Sequence, residues 1–299
     1  MSEAPVSIIP SPAELESKQL SPQNLEKALT ALHKDGLVVL ENVIPLSQLE
    51  ALNKIMVADA KILSSRGDDS PFNYHKGNIQ QDPPLTDDLF FPDIYLNPFA
   101  IQVTTGMYGP PPKMTFLSGN TALPHSTESQ PVHTDADFDH PTIPFAYVVN
   151  VPLIPFSITN GSTEVWLGTH IEAGPHQQQS LHGARHSGAI IPELLEERRK
   201  IRGPIQPTIP AGSIVVRDLR LWHCGKPNST VDIRVMLAMI HFAPWYRNQM
   251  KLKFPKGGEV EKRLKAAEGR LQVPCEWVEG EVNHLAVRFG NSYNFGQSD

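Results

Sequence analysis

The chain has 299 residues, 40% of them apolar, with a formal net charge of −6 and two cysteines, Cys224 and Cys275. That length holds one large domain or two modest ones, and the apolar content supports a sizeable core, so disorder is not the default reading. No basic stripe for nucleic acid, no disulfide framework and no apolar run near the roughly twenty residues of a membrane span is visible.

Residues 1–20 are rich in Pro, Ser and Glu and read as a flexible leader. The leader lacks the basic and apolar pattern of a secretory signal, and "GQSD" is no peroxisomal address, so a cytoplasmic protein is expected. From 21 to 299 no repeat or composition shift divides the chain, which predicts a single domain. "SPQNLEKALTALHKDG" opens on Ser21 as N-cap with Pro22 in the first turn. Leu25, Ala28, Leu29 and Leu32 make one apolar stripe, and Gly36 closes the helix. "LVVLENVI" (37–44) is a β-branched run. A second helix from Leu46 aligns Leu49, Leu52, Met56, Ala60 and Leu63 and ends near Gly67.

Between 68 and 100 the periodicity dissolves into Pro, Gly and Asn with interleaved aromatics. A loop of that length reads as a lid or substrate segment. Phe72, Tyr74, Asn78 and Gln80 are its candidate substrate contacts. Short apolar runs then follow at regular spacing: "KMTFLSG", "FAYVVNVPLI", "STEVWLG", "SIVVRDLRLWH" and "RVMLAMIHFA". They predict a mainly β sandwich or barrel with flanking helices rather than alternating βα units. "PELLEERRKI" and "EVEKRLKAA" (259–267) read as helices, with "EERRK" a solvated face. "LAVRFGNSYNFGQSD" carries enough aromatics to dock somewhere, and the oligomeric state stays open, a homodimer among the options.

"QPVHTDADFDH" (130–140) crowds two histidines and three aspartates into eleven positions. In an extended segment, His133 and Asp135 point to one face and can reach one ion, while Asp137 lies about 7 Å further along. Asp139 and His140 belong to the turn before Pro141. Further on, the strand of "AGSIVVRDLRLWH" reaches His223, and after the turn "CGKPNST" a second strand holds Arg234. A hairpin there would set Arg234 beside His223. Two histidines and one carboxylate can hold a non-haem Fe(II) with open positions, or Zn²⁺ with a water. An arginine nearby suits the far carboxylate of a 2-oxo acid, since its planar fork gives two parallel hydrogen bonds.

"QPVHTD", "NGSTEVWLGTH", "DLRLWHCG" and Arg234, eleven residues after His223, resemble the phytanoyl-CoA dioxygenase family of Fe(II)/2-oxoglutarate oxygenases. The resemblance runs from about 28 to about 245 in the family's motif order. "GNIQQDPPL" and "HPTIPFAYVVNVPLI" look like its fungal small-molecule branch. It implies a double-stranded β-helix (jelly-roll, cupin-like) core. It further implies His133, Asp135 and His223 as iron ligands, Arg234 as the 2-oxoglutarate clamp, and Gln130 and Thr163 as further co-substrate contacts. O₂ would be the second co-substrate.

Each residue also has a plainer reading. His223 can cap a strand end, Asp135 can form an Asx turn, and Arg234 can pair with Asp232. Gln130 and Thr163 can make ordinary loop hydrogen bonds. His182 and His186 have helical metal-pair spacing but fall in a Gly- and Gln-rich stretch that reads as an exposed loop. Cys224 should point away from its neighbour His223, and Trp166 and Trp222 read as packing.

Halogenating relatives replace the acidic ligand with a small residue. Asp135 therefore favours oxidation of an unactivated C–H bond by hydroxylation, desaturation or oxidative cyclisation. A small specialised metabolite is expected as substrate, because no Lys/Arg cluster marks a fatty acyl-CoA site. A zinc hydrolase and a non-catalytic β-barrel binder are the readings from other classes.

Overall fold

A computed structural model describes residues 4–180, 187–286 and 293–297. Twelve strands and seven α-helices follow in chain order. They are β1 (Ser7–Ile8), α1 (Pro12–Ser17), α2 (Pro22–Asp35), β2 (Leu37–Leu40) and α3 (Leu46–Ser64), then β3 (Phe72–Asn73) and β4 (His75–Gln81). Next come α4 (Pro92–Tyr95), α5 (Pro98–Tyr108), β5 (Lys113–Ala122), β6 (Ala146–Pro152), β7 (Glu164–Val165) and α6 (Pro192–Ile201). The remainder is β8 (Ile214–Asp218), β9 (His223–Cys224), β10 (Arg234–Phe242), β11 (Leu252–Pro255), α7 (Glu259–Ala267) and β12 (Cys275–Val278).

Eight strands form one large sheet in the order β1-β2-β8-β6-β10-β5-β4-β3. All its pairings are antiparallel except β1 with β2. Its strands alternate with period two. Val216 of β8, Val149 and Val151 of β6, and Val235, Leu237 and Met239 of β10 pack with Leu32 of α2, Leu52 and Met56 of α3, and Val103 of α5. The intervening residues Val215, Arg217, Val148, Asn150, Met236, Ala238 and Ile240 line an internal cavity. One face is thus closed by helices and the other opens on the site.

A smaller layer faces that cavity. It consists of the β7–β9 pair extended by bridges His133↔His223, Val165↔Ile205 and Phe156↔Ile209. Two facing sheets with the site between them make a double-stranded β-helix.

The sequence expectations need four corrections. Residues 4–20 are not a loose leader. Ser7–Ile8 adds a parallel edge strand beside Val39–Leu40, and Ser11 and Glu14 close a capping box on α1. The 68–100 segment is not one loop. β4 pairs with β5 from Asn78↔Ala122 to Gln81↔Gly119, and Asn97 caps α5 by accepting from the Phe99 and Ala100 amides. The run to His223 is not one strand, because β8 stops at Asp218 and a turn intervenes. Nor do β9 and β10 form a hairpin: β9 pairs with β7, whereas β10 lies between β5 and β6.

Candidate metal centre

The cavity between the sheets measures about 650 Å³. His133, Asp135 and His223 line it, with one ligand atom from each within 4.8 Å of the others. Backbone pairing aligns them. The His133 amide donates to the His223 carbonyl and the His223 amide to the His133 carbonyl, both at 2.9 Å, which sets the imidazoles side by side.

The donor atoms are prepared for a cation. Nδ1–H of His133 donates to the Pro131 carbonyl at 2.8 Å, and Nδ1–H of His223 donates to the Leu221 carbonyl at 3.0 Å. Each imidazole therefore keeps its Nε2 lone pair free, the arrangement usual for metal-binding histidines. Both Nε2 atoms lie 3.7 Å from Oδ1 of Asp135. Burial lowers the pKa of His133 and takes that of His223 well below the ordinary value, so both are neutral near pH 7. Burial alone would raise the Asp135 pKa. The Arg217 charge and hydrogen bond oppose it, and the carboxyl group stays well below the usual range.

Tyr74 lines the cavity and packs its ring 4.8 Å from that of His133, while its hydroxyl donates to the Ser187 carbonyl at 3.0 Å. Its φ of 69° lies in the left-handed region, a conformation costing a non-glycine residue about 1–3 kcal/mol. Phe72 and Gln80 also line the cavity; Asn78 does not. Asn78 is buried on β4 beside Gly225.

Gln130 and Thr163 both line the cavity. Gln130 Oε1 accepts from the Gly225 amide at 2.8 Å, and its Nε2 is buried without a partner. A side chain at Gly225 would strike it, since an added Cβ would come within 2.8 Å of Gln130 Oε1.

Arg234 is 1% exposed and stands at the same strand parity as Met236, Ala238 and Ile240, which line the cavity; its own side chain lies behind the lining, beside Phe156. Its Nη2 donates to the Gly161 carbonyl at 2.8 Å, and its guanidinium lies 4.7 Å over the ring of Phe156, a cavity residue. Gly161 holds this carbonyl in place at φ 76°, where a Cβ would meet the Lys226 carbonyl at 2.4 Å. Nη1 of Arg234 is buried without a partner. Burial pulls the Arg234 pKa down to about 10, which leaves it cationic at neutral pH.

Cys224 turns away from the triad toward Glu164, and Trp166 and Trp222 pack together, as the sequence predicts. His182 and His186 lie outside the described residues. Sequence reasoning missed Arg217, which donates from Nη2 to Asp135 Oδ2. The signal was one arginine at the cavity-facing parity of the β-branched run "SIVVRD". It also missed Phe116, Tyr293 and Phe295, which line the cavity; the Phe116 ring meets the other two edge to face, and those two stack on each other.

No helix among the described residues is long and apolar enough to cross a membrane. The fold is similar to that of the carbocyclase SnoK from nogalamycin biosynthesis, described as non-heme and α-ketoglutarate dependent. There the TM-score is 0.55 at 15% identity, covering 78% of this chain and 86% of that one. It is also similar to the epimerase SnoN, solved with Fe³⁺, α-ketoglutarate and nogalamycin RO (TM-score 0.53, 16% identity, 74% and 84% covered). AviO1 from Streptomyces viridochromogenes Tue57 matches with TM-score 0.53 at 16% identity, covering 74% of this chain and 95% of that one. The family model described as phytanoyl-CoA dioxygenase (PhyH) matches residues 32–236. With more than half of its length matched, and with the triad and the two facing sheets in place, the chain belongs to the phytanoyl-CoA dioxygenase family.

Proposed function

We propose that the protein is an Fe(II)/2-oxoglutarate-dependent dioxygenase that oxidises an unactivated C–H bond of a small specialised metabolite by hydroxylation, desaturation or oxidative cyclisation. The observation carrying this is the three-donor group with both Nε2 lone pairs free, in a cavity whose lining residue Phe156 is backed by Arg234, an arginine whose Nη1 is buried and unpartnered. Bound there, Fe(II) supplies O₂ activation coupled to decarboxylation of 2-oxoglutarate to succinate.

The chain's own residues bind, orient and exclude water. His133, Asp135 and His223 hold one face of the metal. Arg234 takes the far carboxylate of 2-oxoglutarate through its fork, with Gln130 Nε2 and Thr163 as further donors. Tyr74 braces the His133 ring. Phe116, Tyr293 and Phe295 give the rest of the chamber an apolar wall that restricts water around the reacting carbon.

A small metabolite is favoured over an acyl-CoA by charge. The cations among the cavity-lining residues are already paired, Lys76 with Asp68 and Arg217 with Asp135. Among the described residues, that leaves no cationic cluster there for a CoA diphosphate. The similarity to SnoK and SnoN of nogalamycin biosynthesis also fits such a substrate.

The test is an anaerobic titration with Fe(II) followed by 2-oxoglutarate. A weak visible charge-transfer band on adding 2-oxoglutarate is expected. A zinc hydrolase or a passive binder would give none. Succinate formation, scored against a panel of metabolites, then identifies the substrate.

A further inference from the structure

The two oxygens of Asp135 are treated differently by their surroundings. Oδ1 faces both imidazoles, 3.7 Å from each Nε2. Oδ2 accepts from Nη2 of Arg217. Arg217 is itself buried and oriented: Nε donates to Oδ1 of Asn150 at 3.2 Å, and both residues stand on the cavity face of adjacent strands β8 and β6. Its remaining nitrogen, Nη1, is buried without a partner, and the residue lines the cavity. A surface ion pair would have none of this support.

We infer that Arg217 is a positioning residue of the metal centre, holding Asp135 as a one-oxygen ligand so that a coordination position stays open beside the co-substrate. The inference rests on the Fe(II)/2-oxoglutarate reading and goes beyond it by adding a residue that controls the number of open positions. The reasoning is a count. An octahedral ion bound by two imidazoles and one carboxylate oxygen keeps three positions. Two go to a chelating 2-oxo acid and one remains for O₂. If the carboxylate chelated through both oxygens, the 2-oxo acid would fill what is left and O₂ would have no place. A carboxylate free to rotate can adopt either mode. The Arg217 hydrogen bond occupies Oδ2 and orients the carboxylate so that Oδ1 is the oxygen facing the imidazoles.

The test uses the full chain with Fe(II), and nitric oxide as a spectroscopic stand-in for O₂. Arg217→Gln and Arg217→Lys are compared with wild type for Fe(II) affinity. The iron–nitrosyl electron-paramagnetic-resonance signal is then recorded with and without 2-oxoglutarate. Arg217→Gln should weaken iron about 10–100-fold, the usual effect of losing an outer partner of a ligand. It should also lose most of the nitrosyl signal when 2-oxoglutarate is present and keep it when 2-oxoglutarate is absent. Arg217→Lys retains a cation for Oδ2 and should recover part of both. A merely structural arginine would lower Tm without making the nitrosyl signal depend on 2-oxoglutarate. Folded variants with wild-type iron affinity and an unchanged signal in the presence of 2-oxoglutarate would overturn the inference. Should the wild-type spectra ignore 2-oxoglutarate, the co-substrate reading fails; an iron-affinity loss in Arg217→Gln would still uphold the Asp135 contact.

Discussion

Arg234→Ala is the perturbation that separates a 2-oxoglutarate enzyme from any other protein able to hold a metal. The guanidinium is enclosed, stacked on Phe156 and fixed by Nη2 to the Gly161 carbonyl, while Nη1 has no partner. A buried donor without an acceptor is costly, so the site is incomplete until an anion arrives. Removing the guanidinium leaves the co-substrate carboxylate buried and unpaired, a truncation that costs about 2–5 kcal/mol. At about 1.4 kcal/mol per decade this weakens 2-oxoglutarate roughly thirty-fold to several thousand-fold. Arg234→Lys keeps the charge but loses the fork, and should fall between the two. The assay is an anaerobic titration of the Fe(II) protein with 2-oxoglutarate, with iron affinity measured separately and expected to change little. A folded Arg234→Ala protein with wild-type 2-oxoglutarate affinity would refute the clamp and remove the main support for the oxygenase reading.

His133→Ala, Asp135→Ala and His223→Ala should each abolish turnover and stoichiometric iron binding, read by metal analysis of the purified variants. Asp135→Ala also deprives Arg217 of its carboxylate. Its Tm should therefore drop further than in the histidine variants. Tyr293→Ala and Phe295→Ala remove part of the cavity wall. They should shift substrate preference toward bulkier molecules, measured by succinate yield across a panel, with 2-oxoglutarate affinity unchanged. Asp82 is a pH-dependent weakness, since burial raises its pKa to about 6 against hydrogen bonds from Ser118 and Tyr293 that lower it. The neutral form is favoured in the fold, so stability falls as pH rises from the unfolded value near 3.8 through 6 and then levels. Asp82→Asn should raise Tm above pH 6 and change it little near pH 4; an equal change at both pH values would contradict this.

The helices and most strands of the large sheet were legible because their signals are local. Ser21 and Gly36 bracket α2, the stripe from Leu49 to Leu63 marks α3, and "RVMLAMI" is a short apolar run bounded by turn residues, which becomes β10. What failed depended on partners distant in sequence. β4 reads "HKGNIQQ", a polar and Gly-containing run with little strand propensity of its own, yet β5 supplies its hydrogen-bond partners from forty residues away. β1 is two residues long and exists because the edge of β2 is there to pair with. The hairpin expected between His223 and Arg234 failed for the same reason. Nothing within "CGKPNST" shows that its two flanking strands join opposite sheets.

That separation bears on the proposed site. A hairpin would have placed His223 and Arg234 on one surface, with the metal and the far carboxylate competing for the same space. Instead His223 comes from the small layer and Arg234 from the large sheet. On the proposed reading, a 2-oxo acid would meet the metal ligands from one layer and the guanidinium from the other. The spacing from His223 to Arg234 in the sequence identified the residues through family resemblance without revealing this geometry. Arg217 was hidden for a related reason. Its partner Asp135 is more than eighty residues away, and only the alternation of β8 shows that an arginine among valines faces the cavity and not the core. A buried charge in a β-branched run is costly unless something ionic faces it. Read that way, "SIVVRD" requires an acidic partner inside the fold, and the acidic cluster after His133 is where the structure provides it.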